Sequence, residues 1–203
     1  AHYDHAGGVP ALLSRKRHGE LVVGGGFFRE KGKRGPEGFV ALGPGWGREE
    51  VLAAGWRVRI AAGVEVLPGG VQLLGGLVAP EGGQFVVKTA QGPVADDFRE
   101  ELSLVIRTAE GLVVLCGCAH CGIMAILDAV AARFPGERIG MLLGGLHLSR
   151  LGDDALLKVA GELVRRGIPK IGLAHCSGER IHDLFPSGPF FPVRGGDCFT
   201  LQP

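Results

Sequence analysis

The chain is poor in several things that would place a protein by composition alone. Its 203 residues hold one tyrosine, two tryptophans and ten phenylalanines, so large aromatic anchors are few. Lys and Arg (22) almost cancel Asp and Glu (21), leaving a net charge of +1. A near-neutral chain with few aromatic platforms is a poor candidate for a nucleic-acid surface, which needs an extended basic face and stacking rings. No apolar run approaches the length of a membrane span. Internal repeats, a low-complexity tail and a signal peptide are not visible. The cysteines number five, an odd count, with Cys116, Cys118 and Cys121 together and Cys176 and Cys198 apart. That pattern suits a reducing, cytoplasmic setting better than a secreted disulfide framework.

Glycine, by contrast, is abundant: 36 residues, the composition of many tight turns between short strands. The length fits one large domain or two small ones with a sizeable core, and residues 1–203 are read as a single domain rather than two. Residues 9–17 read as a short helix and 21–23 as an apolar strand. The Gly- and Pro-rich stretch 24–47 reads as a loop or lid insertion. Strand-like segments at 56–61, 71–74 and 85–88, separated by glycine turns, suggest a meander. Beyond residue 100 the rhythm is strand (102–107), strand (112–116), helix (123–134), strand (139–143), helix (153–166), strand (171–174). Alternation of that kind predicts an α/β fold with a mostly parallel layer and helices packed on it.

The first informative cluster is His2-Tyr3-Asp4-His5, two imidazoles and a carboxylate within four residues. Neutral imidazole and carboxylate oxygen are the donors that zinc, iron or manganese take. Three further histidines, His120, His147 and His175, each follow an apolar strand beside Gly, Ala or Cys. Ligands of open α/β sheets gather beyond the carboxyl ends of strands, so the repetition points to a site rather than to three unrelated core imidazoles. His18 and His182 lack this context and read as surface residues. The tight spacing Cys116-x-Cys118-x-x-Cys121 has no matching second pair, so these cysteines read as small hydrophobes at a crowded junction, with Cys121 open to oxidation. The basic run Arg29, Lys31, Lys33, Arg34 reads as a solvated face or a phosphate contact. Asp96 and Asp97 read as turn residues or as partners orienting ligand imidazoles. Ser177-Gly178-Glu179 reads as a helix start, explained by an anion or by capping alone.

Taken together, His2-x-Asp4-His5 and the isolated strand-end histidines resemble the metallo-β-lactamase fold superfamily. The closer resemblance is to the group around the archaeal dihydropterin synthase. It is carried by Asp96-Asp97 with Glu101 to Ile106, Gly117-Cys118-Ala119-His120-x-Gly122-Ile123, Gly144-Gly145-Leu146-His147-Leu148 and His175-Cys176-Ser177-Gly178. The resemblance implies an αββα sandwich lacking its first strands in this chain, since the first His of the signature should stand two positions before His2. It implies that His2 and His120 serve one metal, and Asp4, His5 and His175 a second, zinc first among the candidates. Asp4 would also accept a proton from the nucleophile. The superfamily's bridging aspartate is not evident at the fourth motif, so His147 is a substitute ligand or a substrate contact in the catalytic centre.

The implied activity is that of a metal-dependent hydrolase, or of a dihydropterin-synthase-like transferase, on a phosphorylated or pterin-like small molecule. Metal-activated water serves the first chemistry and a metal-held leaving group the second. The alternative is a non-catalytic relative that binds a metal or ligand. No nucleic-acid or membrane partner is expected, and a homo-oligomer remains compatible with the sequence.

Overall fold

The computed structural model describes residues 1–16, 18–61, 63–80 and 83–202. In chain order the elements are α1 (Tyr3–Ala6), α2 (Val9–Arg15), β1 (Glu20–Val23), β2 (Lys31–Gly35), β3 (Gly38–Ala41), α3 (Arg48–Ala53) and β4 (Arg57–Ile60). Then follow β5 (Glu65–Val66), β6 (Gln72–Leu74), β7 (Phe85–Thr89), β8 (Gly92–Ala95), β9 (Ser103–Thr108) and β10 (Gly111–Cys116). The last are α4 (Ile123–Arg133), β11 (Ile139–Gly144), α5 (Asp153–Arg165), β12 (Ile171–Leu173), α6 (Arg180–Leu184) and β13 (Phe190–Pro192). The chain divides into two compact units: residues 1–64 with 75–101, and residues 65–74 with 102–203. Among the described residues, no helix is long and apolar enough to cross a membrane.

The first unit holds a four-stranded antiparallel sheet in the order β3-β2-β7-β8 and a parallel pair, β1 with β4. Residues 24–47 therefore correct the loop-or-lid expectation, because β2 and β3 are two strands of that sheet. Pro36, Pro44 and Gly24 to Gly26 lie outside the strands, whereas Gly32, Gly35 and Gly38 lie within β2 and β3, and the basic residues Lys31, Lys33 and Arg34 fall on β2. The expected meander is also corrected: β4 joins β1, β6 joins the second unit's sheet, and β7 joins β2. Turn signals locate strands but do not choose their partners. The core here is aromatic. Trp46, Val51 and Trp56 are buried with Ala6 and Leu13, and Phe27 and Phe28 pack against them. Each indole N–H has a carbonyl partner, Ala6 for Trp46 at 2.7 Å and Lys16 for Trp56 at 3.0 Å, as buried indoles require.

The second unit is built on a sheet ordered β13-β12-β11-β10-β9-β6-β5. Strands β10 to β13 run parallel, and β9 and β10 form an antiparallel hairpin. Parallel neighbours need crossovers, and α4, α5 and α6 lie between the successive strands. The central strand β10 buries Leu112, Val113 and Val114 in succession, the continuous apolar run of a strand covered on both faces. Helix α4 buries Ile123, Ile126, Leu127 and Val130, spaced three, four and seven residues along one stripe. It stops ahead of Pro135, whose ring and missing N–H cannot continue a helix. Helix α5 buries Leu156, Ala160 and Leu163 and opens on Asp153 and Asp154, acidic side chains that complement the helix N-terminus.

One contact fixes how the sheet ends. Gly144 pairs with Cys116 at the ends of β11 and β10, and a Cβ at Gly144 would stand 2.0 Å from the Cys116 carbonyl. Only glycine permits that approach, and it brings the loops after the two strands side by side.

Candidate functional site

Three loops at the carboxyl ends of β10, β11 and β12 carry His120, His147 and His175. The second unit has positive-φ residues other than glycine at Ala119 (φ 52), His147 (φ 54) and His175 (φ 49), one in each loop. Such conformations cost free energy and persist only where surrounding contacts enforce them.

The enforcing contacts are visible. His175 opens a 3₁₀ turn, His175–Ser177. Buried Ser177 accepts the Leu146 N–H at 2.9 Å and donates to the Gly144 carbonyl at 3.0 Å. The Cys176 carbonyl accepts from the N–H groups of Leu148 and Ser149, both at 3.0 Å. Its Sγ accepts the His147 N–H at 3.2 Å. The sulfur fits because Gly145 has no side chain, where a Cβ would lie 2.9 Å from it and 2.3 Å from the Gly117 carbonyl. Three groups on the β12 loop, making five hydrogen bonds, thus hold the His147 loop.

Side chains converge above this frame. The rings of His120 and His147 are 4.4 Å apart between centroids. Cys118 Sγ lies 3.5 Å from His147 Nδ1 and 3.0 Å from Cys176 Sγ. One donor atom from each of Cys118, His120 and His147 falls within 4.8 Å of the other two. A sulfur and two imidazoles suit a borderline-soft divalent ion such as zinc. Cys118 beside it, with burial opposing and His147 assisting, pushes the Cys176 thiol down to about 4, so this sulfur is a thiolate at neutral pH. His175, more exposed, lines a cavity of about 110 Å³ with His182, Glu179 and Arg194.

In the first unit, His2, Asp4 and His5 stand at and within α1. His2 is buried against Phe85 and Phe98, at ring separations of 5.3 and 5.6 Å. Burial pushes its imidazole down to about 4 and keeps it neutral, which is the form a metal takes. Asp4 and His5 are exposed, with Oδ2 and Nε2 3.9 Å apart.

Several sequence expectations change. Lys31, read as part of a solvated or phosphate-binding run, is 1% exposed. Its Nζ lies 2.6 Å from Asp96 and 2.8 Å from Glu100, and Arg29 pairs with Asp97 at 2.7 Å. Asp96 and Asp97 are therefore partners of cations, although Asp96 also accepts the Phe98 N–H in a local turn. With Glu100 they form an acidic trio, but Lys31, Arg29 and Arg99 already pair with it. Cys121 is buried rather than open to oxidation, and His182 is half-buried at the His175 cavity rather than on the surface. Cys118, read as a packing residue, lies in the cluster with His120 and His147. Its position two residues before His120 was the available signal.

No family model matches the chain. Over 92 residues, 45% of its length, it is 27% identical to the 7,8-dihydropterin-6-methyl-4-(β-D-ribofuranosyl)-aminobenzene-5′-phosphate synthase of Methanocaldococcus jannaschii. That match spans 31% of the curated relative. Among solved structures, the chain is similar to the crystal structure of a metal-dependent hydrolase of the β-lactamase superfamily. The TM-score is 0.80 at 27% identity, covering 94% of this chain and 74% of the other.

Proposed function

We propose that this member of the metallo-β-lactamase superfamily, a distant homologue of the archaeal synthase, is a metal-dependent hydrolase whose ion is held by its second unit. The observation carrying the proposal is the convergence of Cys118, His120 and His147 at the ends of β10 and β11. A bound divalent ion supplies Lewis acidity toward a phosphoryl or carbonyl oxygen and lowers the pKa of water. The protein supplies the rest. His120 and His147 offer imidazole nitrogens, and Cys118 offers a third donor. Ser177, through Gly144 and Leu146, and the Cys176 sulfur, through the His147 N–H, fix the backbone that carries the His147 ring. Losing a rigid partner of this kind costs about 10–100-fold in metal affinity.

His2, Asp4, His5 and His175 enter the proposal as further ligand candidates on the resemblance alone, with Asp4 as a proton acceptor. The substrate class is a phosphorylated or pterin-like small molecule. The 92-residue likeness to the synthase favours a second reading, transfer rather than hydrolysis, with pyrophosphate as leaving group.

The test is elemental analysis of protein purified without added metal. One to two equivalents of zinc, iron or manganese are expected, falling in the His147→Ala variant. Essentially none, even after reconstitution, overturns the proposal. Incubating the loaded protein with a dihydropterin pyrophosphate and an aminobenzene acceptor separates the readings. A coupled product supports transfer, and free dihydropterin alcohol supports hydrolysis.

A further inference from the structure

The geometry points to Cys118 and Cys176 as a reversible oxidation site, in which an intramolecular disulfide withdraws Cys118 from the metal-donor set. The two sulfurs, 58 residues apart in sequence, lie 3.0 Å from each other. That is inside ordinary sulfur contact and about 1 Å from the roughly 2.05 Å of a disulfide bond. Both sit on loops at strand ends rather than within β10 or β12, so closing the gap requires a shift of loop backbone and no broken ladder.

The surroundings favour this pair over any other. Cys176 is half-buried and reachable, whereas Cys118 is 7% exposed behind it. The His147 N–H directed at Cys176 Sγ at 3.2 Å holds that sulfur in place beside Cys118. Gly145 leaves the space the sulfur occupies. Cys116 Sγ is engaged by the Ser103 hydroxyl at 3.8 Å, Cys121 is buried, and Cys198 is exposed with its sulfur at the Gly196 carbonyl, 3.6 Å away.

The oxidant is a peroxide. Cys176 sulfur attacks one peroxide oxygen and the O–O bond breaks, giving a sulfenic acid and, after protonation, one water. Cys118 sulfur then attacks the sulfenic sulfur, forming the S–S bond and releasing the hydroxyl as a second water with the Cys118 proton. Two thiols and one hydrogen peroxide thus become one disulfide and two waters, and a dithiol reductant reverses the bond by exchange.

Bond formation in metal-free protein is independent of the proposed function, whereas competition with metal rests on it. The experiment treats the full chain, stripped with a chelator, with a small excess of hydrogen peroxide, followed by intact mass and non-reducing peptide mapping. A mass lower by two hydrogens is expected, with the link between the peptides bearing Cys118 and Cys176 and full reversal by dithiothreitol. The Cys198→Ser variant behaves identically, and Cys176→Ser forms no link. Oxygen adducts without a link, or a link to Cys116, Cys121 or Cys198, overturn the inference.

With free zinc at about 100 times its Kd, only about one molecule in a hundred is metal-free, so linking should slow about 100-fold. An unchanged rate in protein shown to carry zinc overturns the competition and removes Cys118 as a ligand, while leaving the link itself established. A protein that links but binds no metal contradicts the proposed function instead.

Discussion

The two units handle polar side chains in opposite ways. In the first, buried charge is consumed internally: Lys31 is enclosed by Asp96 and Glu100, and Arg29 by Asp97. In the second, the core is aliphatic and the polar donors are displaced to the ends of β10, β11 and β12, where Cys118, His120 and His147 face one another. A cluster of chemically capable residues is therefore not in itself a site. What matters is whether the group that satisfies them is already part of the chain.

The largest effect should come from breaking the first arrangement. Replacing Lys31 by Met leaves Asp96 and Glu100 buried without their nearest cation, with Arg29 3.8 Å from each, and should destabilise the protein by about 3–5 kcal/mol, read from urea unfolding. A loss under about 1 kcal/mol would mean that the trio is not closed by Lys31, and the contrast between the units would fail. Next in size is Ser177→Ala. It removes the acceptor of the Leu146 N–H and the donor to Gly144, costing about 1–3 kcal/mol and weakening metal binding by about 10–100-fold. If stability falls but the metal dissociation constant does not, Ser177 supports the fold and not the site.

The sequence made one of these units far more readable than the other. In the second, α4, α5, β9, β10, β11 and β12 fall within a residue or two of the periodicity, because continuous apolar runs and one-sided helices are local signals. The strand-end histidines were equally legible. In the first unit, β2 carries its buried positions on Lys31 and Gly32, so no hydrophobic pattern marks it, and its burial follows from Asp96 and Glu100 some 65 residues on. The same reason hid Cys118 and Cys176. Their contact spans 58 residues and depends on what Gly144 and Gly145 allow.

The effects of pH differ in window between the units. Although burial opposes it, hydrogen bonds from Arg99 and Arg29 hold the Asp97 carboxyl well below the usual carboxylate range. Its contribution is present above the unfolded value of 3.8 and is lost only as pH falls below it. Cys176 is lowered from 9.0 to about 4, so its contribution is complete above 9.0 and declines as pH falls toward 4. The stability difference between wild type and Asp97→Asn should therefore stay level from pH 9 to 5. That between wild type and Cys176→Ser should shrink steadily over the same range. Parallel curves would show that the Cys176 sulfur is not held as a thiolate.

The central claim is that the second unit binds a divalent ion through one thiolate and two imidazoles. Cobalt(II) reports this directly, because a bound thiolate gives a near-ultraviolet charge-transfer band that nitrogen and oxygen donors do not. Titrating chelator-stripped, reduced protein with cobalt should produce that band, saturating at a defined stoichiometry. It should vanish in Cys118→Ser, persist in Cys198→Ser, and require much higher cobalt in His120→Ala and His147→Ala. Cobalt binding without the band, or a band that survives Cys118→Ser unchanged, would contradict the account.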